Sequence, residues 1–405
     1  MILVALALVG LQTSLNVITY GAVADGKTDC TVTFQNCIDD AAHKHVPVVD
    51  VPSGNYLFTG NLVLPPGISL KGSWLSVPSH TGIRDQGGLK PTDGGTTFLC
   101  TGSTGTSYNA LTPSASDKPA FITLNTDCTL QGVEFYYPRQ LTDNAPTKYP
   151  FTIAMRGNNP CVKDVELLNS YDGVDATQNQ RFLIRNVSGQ PLHRGVVVDA
   201  IYDIGRIENV HFNPWFSFKS PVFDWEMANG IAFEFARSDW QYVTNTFCFG
   251  YHVGYQFDET KSGVCNGNFS GIGADDCETS VNVENCASYG LLITNGEFTS
   301  FEGPDPTMVR VAPTNKGVVR FNNCSFWGPC HQIALIEGSG TVAFSNCSFV
   351  QWDRDHVGLP AIDVRSGNIM VTGCDFQQAG NTIKLGPNVS QPIVNNNLII
   401  KPAGK

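Results

Sequence analysis

The chain has 405 residues, of which 42% are hydrophobic and only 15% are charged. This much apolar material excludes a disordered chain, because the chain can form a large buried core. The net charge of −11 and the lack of a run of Lys or Arg argue against nucleic acid and anionic membrane surfaces as partners.

Residues 1–11 form an uncharged apolar run, and Gln12, Thr13 and Ser14 follow it. The run is too short to span a bilayer and has about the length of a signal-peptide h-region. A basic n-region is missing, so a buried first strand is the alternative interpretation. We favour an export signal over residues 1–14, which predicts a secreted or periplasmic protein with one domain over residues 15–405.

The next segment, residues 16–29, is typical of a strand, a Gly-rich turn and a helix N-cap at Asp29. The apolar residues that follow have the i, i+4, i+7, i+8 spacing of an amphipathic helix, at Phe34, Ile38, Ala41 and Ala42. Residues 48–56 and 62–72 then alternate short strands with turns that contain Pro and Gly.

A short motif, which ends in Phe or Leu after a turn-prone pair, recurs along the rest of the chain. Its copies are 131–135, 163–167, 208–212, 294–298, 322–326, 345–349, 372–376 and 395–398. The last five end at Phe298, Phe326, Phe349, Phe376 and Leu398, at spacings of 28, 23, 27 and 22 residues. A period in the twenties without intervening helices predicts a β-solenoid, in which coils bury their apolar residues by stacking.

The thirteen cysteines cannot all pair with one another, and none has the spacing of a zinc site. Local bridges between Cys30 and Cys37 or between Cys265 and Cys277 are one interpretation, and buried thiols are the other. Three cysteines occupy the same motif position, which predicts an interior stack of Cys324, Cys347 and Cys374. The five sequon asparagines similarly predict a ladder of stacked amides at Asn186, Asn268, Asn323, Asn346 and Asn388.

The N-terminal order resembles that of the pectate-lyase-like superfamily of right-handed parallel β-helices, which includes polygalacturonase-related proteins. The matching elements are Tyr20-Gly-Ala, Asp25-Gly-Lys-Thr-Asp29, Phe34-Gln35, Val51-Pro-Ser-Gly-Asn-Tyr56 and Leu64-Pro-Pro-Gly67. The resemblance implies an all-β fold, a single-stranded right-handed parallel β-helix whose N-terminal helix caps the open end of the solenoid. It also implies carbohydrate chemistry, with a polysaccharide or oligosaccharide bound in a groove near the middle of the rod.

The middle of the chain is rich in aromatic residues, with fourteen between Trp215 and Phe257. The phenylalanines predict interior stacks or a subunit contact. Four aromatic residues carry polar groups and are better candidates for stacking against sugars: Trp215, Trp225, Trp240 and Tyr242.

Acidic residues are concentrated in the same part of the chain. Glycoside hydrolysis needs two carboxyl groups, and neighbouring coils of a solenoid can bring such groups together. Crowding would also raise the pKa of one of them and so provide a general acid. We predict catalytic roles for Asp199, Asp203, Glu226, Glu234 and Asp239, with His211 and Arg237 as substrate-positioning neighbours. For any single one of these acids, a plain surface position on an acidic protein is the alternative.

Two segments, 170–175 and 273–277, resemble acidic motifs of the polygalacturonase branch. In that branch the motifs lie about one coil apart, whereas here 104 residues separate Asp172 from Asp276, and the branch's Gly-His-Gly and Arg-x-Lys motifs are absent. We therefore do not transfer that catalytic set. Asp172 and Asp175 are second-tier candidates, as are Asp275 and Asp276, which we assign to substrate binding.

The sequence favours a glycoside hydrolase that uses carboxyl acid/base catalysis, without a metal or cofactor, as a monomer or homotrimer. A polysaccharide lyase acting on a uronate glycan, with Ca²⁺ as an acid-bound cofactor, is the enzymatic alternative. We place it second because a groove poor in Lys and Arg would repel a polyuronate. A non-catalytic glycan-binding β-helix, such as a spike or adhesin, is the third interpretation. Serine-hydrolase and nucleotide-binding motifs are absent.

Overall fold

The computed structural model describes residues 13–77, 84–85 and 94–400. The candidate export signal at residues 1–14 lies outside the described residues except for Thr13 and Ser14. Within the described ranges, no helix is long and apolar enough to cross a membrane.

The described residues form a 3₁₀ helix, Val17–Tyr20, two α-helices, α1 (Thr31–His43) and α2 (Pro221–Asn229), and many short strands. The strands of the first half are β1 (Leu15–Asn16), β2 (Asp25–Asp29), β3 (Val48–Asp50), β4 (Gly54–Phe58), β5 (Leu62–Leu64), β6 (Ser69–Lys71), β7 (Thr96–Cys100), β8 (Ile122–Leu124), β9 (Thr129–Tyr136), β10 (Phe151–Met155), β11 (Gly157–Asn158), β12 (Cys161–Leu167), β13 (Asp172–Thr177), β14 (Asn179–Gln180), β15 (Leu183–Gly189), β16 (Arg194–Asp199) and β17 (Arg206–Phe212). Those of the second half are β18 (Ile231–Phe235), β19 (Gln241–Thr244), β20 (Phe247–Phe249), β21 (Val253–Phe257), β22 (Glu259–Thr260), β23 (Gly263–Val264), β24 (Gly267–Ser270), β25 (Gly273–Asp275), β26 (Thr279–Val283), β27 (Leu291–Thr294), β28 (Glu297–Phe298), β29 (Thr307–Val311), β30 (Val318–Asn322), β31 (Ser325–Phe326), β32 (Gln332–Ile336), β33 (Thr341–Ser345), β34 (Ser348–Phe349), β35 (Ile362–Thr372), β36 (Asp375–Phe376), β37 (Ile383–Asn395) and β38 (Leu398–Ile399).

Strands of successive coils pair in parallel and form three ladders, which we call sheets 1, 2 and 3. Sheet 1 contains β5, β8, β10, β13, β16, β18, β21, β26, β29, β32 and the first parts of β35 and β37. Sheet 2 contains β1, β3, β6, β19, β24, β27, β30, β33, the first parts of β9, β12, β15 and β17, and the last parts of β35 and β37. Sheet 3 contains β2, β4, β7, β20, β25, β28, β31, β34, β36, β38 and the last parts of β9, β12, β15 and β17. The predicted all-β parallel solenoid is therefore confirmed.

The predicted period sets the register of sheet 3. Phe298, Phe326, Phe349 and Phe376 lie directly above one another in successive coils. The predicted end of the last motif copy, Leu398, is one residue too early, because Phe376 pairs with Ile399 and not with Leu398. Successive side chains of a strand point to opposite faces, so this single-residue shift moves Leu398 out of the interior.

Aromatic side chains fill the solenoid in stacks. The rings of Phe233 and Tyr255 lie 4.9 Å apart and nearly parallel, and those of Phe321 and Phe344 lie 5.1 Å apart. Both members of each pair are fully buried. The prediction that phenylalanines of the mid-chain segment form interior stacks is confirmed for the ones that face inward.

The cysteines are free thiols, so the two local bridges proposed as one interpretation are wrong. Cys324, Cys347 and Cys374 are buried in successive coils, and the Cys347 amide lies 3.4 Å from the Cys374 sulfur. The predicted cysteine stack is therefore confirmed as a packing feature.

An amide ladder exists at the turns, but it includes only some of the predicted asparagines. Asn323 donates to Asn295 at 2.8 Å, and Asn186 donates to Asp164 and accepts from Asn209. Asn268 and Asn388 lie within strands β24 and β37 instead, so their inclusion was wrong. The ladder residues Asn186 and Asn323 have positive φ angles, which asparagine tolerates better than most residues.

Helix α1 forms where the apolar spacing predicts it, one residue after the expected start. Cys30 is the N-cap residue, although the Asp29 carboxylate still accepts the backbone N–H of Thr31 at 3.0 Å. Phe34 packs edge-on against both Phe58 and Phe98, at ring distances of 4.9 and 5.6 Å. The helix therefore buries its apolar face against the first coils.

Candidate functional site

Sheet 1 carries a row of outward-facing positions that runs along the rod, which we call the outer row. In order along the chain it contains Ala154, Asp175, Val197, Glu234, Gln256, Asn282 and Arg310. Their neighbours one position before or after, such as Val196 and Phe233, are buried in the main core. The strand alternation therefore turns the outer-row side chains away from the interior.

The first part of the outer row is covered by residues 101–121, which connect β7 to β8 and which we call the 101–121 loop. Ala110 and Ala120 pack with Phe151, Ala154 and Val197 in a small apolar cluster outside the main core. This cluster buries side chains of two strands of sheet 1, β10 and β16.

Tyr108 fixes this loop to the sheet. Its hydroxyl donates to the Asp175 carboxylate at 2.8 Å, and its ring packs against Phe151 at 5.1 Å. Arg156 forms an ion pair with the same carboxylate at 2.5 Å. Burial and the adjacent Asp175 raise the pKa of Tyr108, so its hydroxyl keeps its proton.

A cleft of about 170 Å³ opens where the loop's cover ends. His193, Arg194 and Glu234 line it from sheet 1, and Tyr108 and Asn109 line it from the loop. Asn109 also lines a wider neighbouring cleft of about 470 Å³, which includes Asp258 and Lys261. We call the smaller of the two the sheet 1 cleft.

Glu234 is the carboxyl group that lines this cleft, and its pKa is raised. Burial raises its pKa to about 7, the Arg194 guanidinium opposes the shift, and the nearby Asp258 carboxyl adds to it. Arg194 forms an ion pair with Glu234, and burial also raises the pKa of Asp258. Glu234 can therefore hold a proton close to neutral pH, as a general acid must.

His193 lies beside it and is held in one orientation. Its Nδ1 lies 2.8 Å from the carboxylate of Asp172, which is fully buried, and burial raises the pKa of Asp172. The imidazole stacks on Tyr171 at 4.8 Å and contacts Trp225 at 5.8 Å. This arrangement leaves Nε2 as the ring nitrogen for a ligand in the cleft.

Two family models match the chain. Rhamnogalacturonase A/epimerase, pectate lyase-like, covers residues 14–215, and the right-handed beta helix region covers residues 308–404. The chain belongs to the pectate-lyase-like superfamily of right-handed parallel β-helix proteins. No curated protein sequence matches it.

Solved structures share the fold of this superfamily member at low sequence identity. The A-module of mannuronan C-5 epimerase AlgE6 from Azotobacter vinelandii is 14% identical, with a TM-score of 0.50 over 96% of this chain and all of that one. DFA-IIIase from Arthrobacter chlorophenolicus, without its lid, is 12% identical, with a TM-score of 0.56 over 97% and 100%. Gene product 12 of bacteriophage phi29 is 13% identical, with a TM-score of 0.58 over 95% of this chain and 52% of that chain. These identities show the fold alone.

The superfamily fold does not bring the five predicted catalytic acids together. Only Glu234 lines the sheet 1 cleft. Asp203 pairs with Arg181 at 2.6 Å at the corner between sheets 1 and 2, and Asp239 pairs with Arg237 at 2.8 Å at the same corner. The expectation that neighbouring coils bring these acids together is therefore wrong for the set of five, because each coil turns through three sheets within some twenty-five residues.

The two remaining acids, Asp199 and Glu226, do not line this cleft either and are hydrogen-bonded to other parts of the protein. Asp199 ends β16 and accepts the Arg237 backbone N–H and the Thr260 hydroxyl, both at 3.0 Å, which ties the β22–β23 hairpin to sheet 1. Glu226 is fully buried on helix α2, where it accepts from Gln190 at 2.6 Å. Burial raises its pKa well above the ordinary value.

The predicted substrate-binding residues are also spread over the rod. Trp225 borders the sheet 1 cleft through His193. On the sheet 3 side, His211 packs between Trp215 and Phe247, and Asp275 accepts from Thr299 at 2.6 Å. Burial lowers the pKa of His211. It raises the pKa of Asp276, which follows Asp275 in the sequence, to about 7. Arg237, Trp240 and Tyr242 lie at or beside the corner between sheets 1 and 2. Their proposed binding roles stay predictions.

Sequence patterns alone do not single out His193, Arg194 or Tyr108. A signal was present for the first two, because a polar pair directly precedes the apolar run 195–198 and so lies at the edge of a buried strand. Tyr108 is in an irregular loop about eighty-five residues earlier in the sequence, where no periodicity marks it. Among the described residues, no three His, Cys, Asp or Glu side chains form a group that could hold a metal ion.

Proposed function

We propose that this protein is a glycoside hydrolase that cleaves a polysaccharide or oligosaccharide in the sheet 1 cleft. The observation that carries the proposal is the presence, in one cleft, of a carboxyl group whose pKa is raised to about 7 and an imidazole fixed by a buried carboxylate. The superfamily, with its rhamnogalacturonase A/epimerase family model, supports a carbohydrate as the substrate.

In this mechanism Glu234 donates its proton to the glycosidic oxygen as the bond to the anomeric carbon breaks. His193 Nε2 takes a proton from the attacking water, whose oxygen forms the new bond to the anomeric carbon. Asp172 stabilises the imidazolium that results, and Arg194 stabilises the carboxylate that Glu234 becomes.

A polysaccharide lyase is the second candidate, and Arg194 is the observation that favours it. A guanidinium that lines the cleft could neutralise a uronate carboxylate while His193 removes the adjacent proton. The hydrolase is favoured because Arg194 is already paired with Glu234. We propose that the hydrolase requires no cofactor, whereas a lyase that uses Ca²⁺ would lose activity with a chelator.

The test is a panel of neutral and uronate glycans, with the products analysed for reducing ends and for near-ultraviolet absorbance. A hydrolase releases reducing ends without absorbance, and a lyase produces an absorbing unsaturated sugar. The Glu234→Gln and His193→Ala variants should lose turnover. Asn282→Ala, two coils along the outer row, is the matched control and should keep it. Affinity without turnover on every glycan would instead identify a binding module.

We also propose that the protein is exported, acts as a monomer or homotrimer, and uses α1 to cap the N-terminal end of the solenoid. The apolar run 1–11 supports export, and the burial of Phe34 against the first coils supports the cap. Phe34→Ala should lower the melting temperature, because it would leave a cavity where helix and coils meet. Cell fractionation and sedimentation test the other two proposals, and a cytosolic protein would contradict export.

A further inference from the structure

Three large aromatic side chains are exposed along one corner of the rod, between sheets 1 and 2. Tyr202 is 56% exposed, Trp240 is 64% exposed and Tyr289 is 67% exposed. Since most other aromatic side chains of the described residues are buried or half-buried, this exposure needs an explanation. We call these three residues the corner strip.

The coil register places the strip along the rod axis. The bridge between Ile201 and Ser238 puts Tyr202 one coil before the Trp240 turn. Gln241 pairs with Gly267, which pairs with Leu291, so Tyr289 lies two coils beyond Trp240. With about 4.8 Å between coils, the strip extends over roughly 14 Å. This length suits a short run of consecutive sugar units.

A cleft of about 440 Å³ lies between the rings of Trp240 and Tyr289. Polar side chains line it as well, namely Asp239, Asn266 and Asn268. Asn266 is fixed there, since it accepts the Trp240 backbone N–H at 3.1 Å and donates to Asp239 at 3.2 Å. The cleft therefore combines aromatic walls with oriented amide groups.

The backbone of Trp240 is in an unfavourable conformation. Its φ angle is 56°, in a region that bulky residues avoid and in which most of the non-glycine residues of this chain are Asn or Asp. The Trp240 ring is mainly exposed and adds little to the core, so packing does not explain why a tryptophan occupies this position. Arg181 and Ile204, at the same turn position of the two preceding coils, also have positive φ angles, so the angle belongs to the turn. The exposed ring beside a cleft is what points to a function for the side chain.

We propose that the corner strip is a second carbohydrate-binding site, which holds a neutral polysaccharide along the rod. The aromatic rings can cover the apolar faces of sugars, and the amides can bond their hydroxyl groups. A neutral chain fits best because Arg237 is already paired with the Asp239 carboxylate of the cleft and the protein carries a net charge of −11. No residue that lines this cleft also lines the sheet 1 cleft, so the site goes beyond the proposed function.

The experiment is native affinity electrophoresis in gels that contain galactan, arabinan, inulin or β-glucan, with polygalacturonate as the charged comparison. The Glu234→Gln protein serves as the parent, so that turnover does not consume the polysaccharide. At least one neutral polysaccharide should retard it. Trp240→Asn and Tyr289→Ala should each weaken that binding about tenfold. Trp327→Ala, which removes an exposed tryptophan outside the strip, should leave it unchanged.

Trp240→Asn also separates binding from folding. Asparagine suits a positive φ angle, so this variant should melt at or above the temperature of its parent while it loses affinity. Three outcomes would overturn the proposal: no retardation by any neutral polysaccharide, an equal loss with Trp327→Ala, or a self-association that Trp240→Asn abolishes. The last would identify an interface between copies. A protein that binds through the strip but has no turnover would contradict the proposed hydrolase alone.

Discussion

The two parts of the outer row on sheet 1 share a backbone register and differ in what covers them. Under the 101–121 loop the row contains the apolar Ala154 and Val197, which are almost fully buried. Beyond the loop it contains Gln256, Asn282 and Arg310. Glu234 lies at the boundary, where cover from the loop removes water from its carboxyl group while the cleft stays open to a ligand. A carboxyl group with a raised pKa arises here from the position of a loop on an otherwise regular sheet.

Glu234→Gln should give the largest effect. It keeps the size of the side chain and removes the proton donor, so turnover should fall by about 10²–10⁴-fold, the usual contribution of general acid catalysis. The measurement is kcat on the best substrate of the glycan panel. Asn282→Ala, in the uncovered part of the row, should stay within about threefold of the parent in the same assay. Equal losses in both variants would contradict the assignment of the boundary as the site.

Tyr108→Phe should weaken the cover itself. The variant removes a hydrogen bond to a buried carboxylate, a type of bond that contributes about 1.5–3 kcal/mol. We expect faster proteolysis within the 101–121 loop and a higher KM. Tyr20→Phe is the matched control, since it removes the hydrogen bond that Tyr20 donates to the Asp40 carboxylate at α1, away from the loop. If the 101–121 loop of the Tyr108→Phe variant resists protease as well as that of the parent, apolar packing alone keeps the loop on sheet 1.

Arg194→Gln tests the electrostatics of the boundary. Arg194 lowers the pKa of Glu234, so its removal should raise that pKa above about 7. A general acid works in its protonated form, and the alkaline limb of the rate profile should therefore move to higher pH. The pH dependence of kcat/KM measures this shift. If the alkaline limb stays in place or moves to lower pH, a group other than Glu234 controls it.

Local patterns predicted the parts of the fold that repeat. The Phe298 to Phe376 spacing and the cysteine stack follow from a period that stacking imposes on every coil. Of the residues that line the cleft, only Glu234 was predicted, because the others depend on contacts distant in sequence. Tyr108 meets Asp175 across 67 residues, and no periodic signal links them. Helix α2, which carries Glu226 and Trp225, was missed although Ser220-Pro221 is a common helix start.

Glu226 is a completely buried carboxyl group, in contrast to Glu234 at the edge of the 101–121 loop. We expect its substitution to have the smallest effect. Its carboxyl group is fully buried, and burial raises its pKa well above the ordinary value, so it is neutral in the folded protein. A raised folded-state pKa contributes stability that is complete below the unfolded pKa and is lost as the pH rises through the folded pKa. Glu226→Gln imitates the neutral carboxyl group and should therefore melt with the parent at pH 4 and about 1–3 °C above it at pH 8. Calorimetry at the two pH values is the measurement. A gain of the same size at both would show that packing against Gln190, and not ionisation, limits stability at this position.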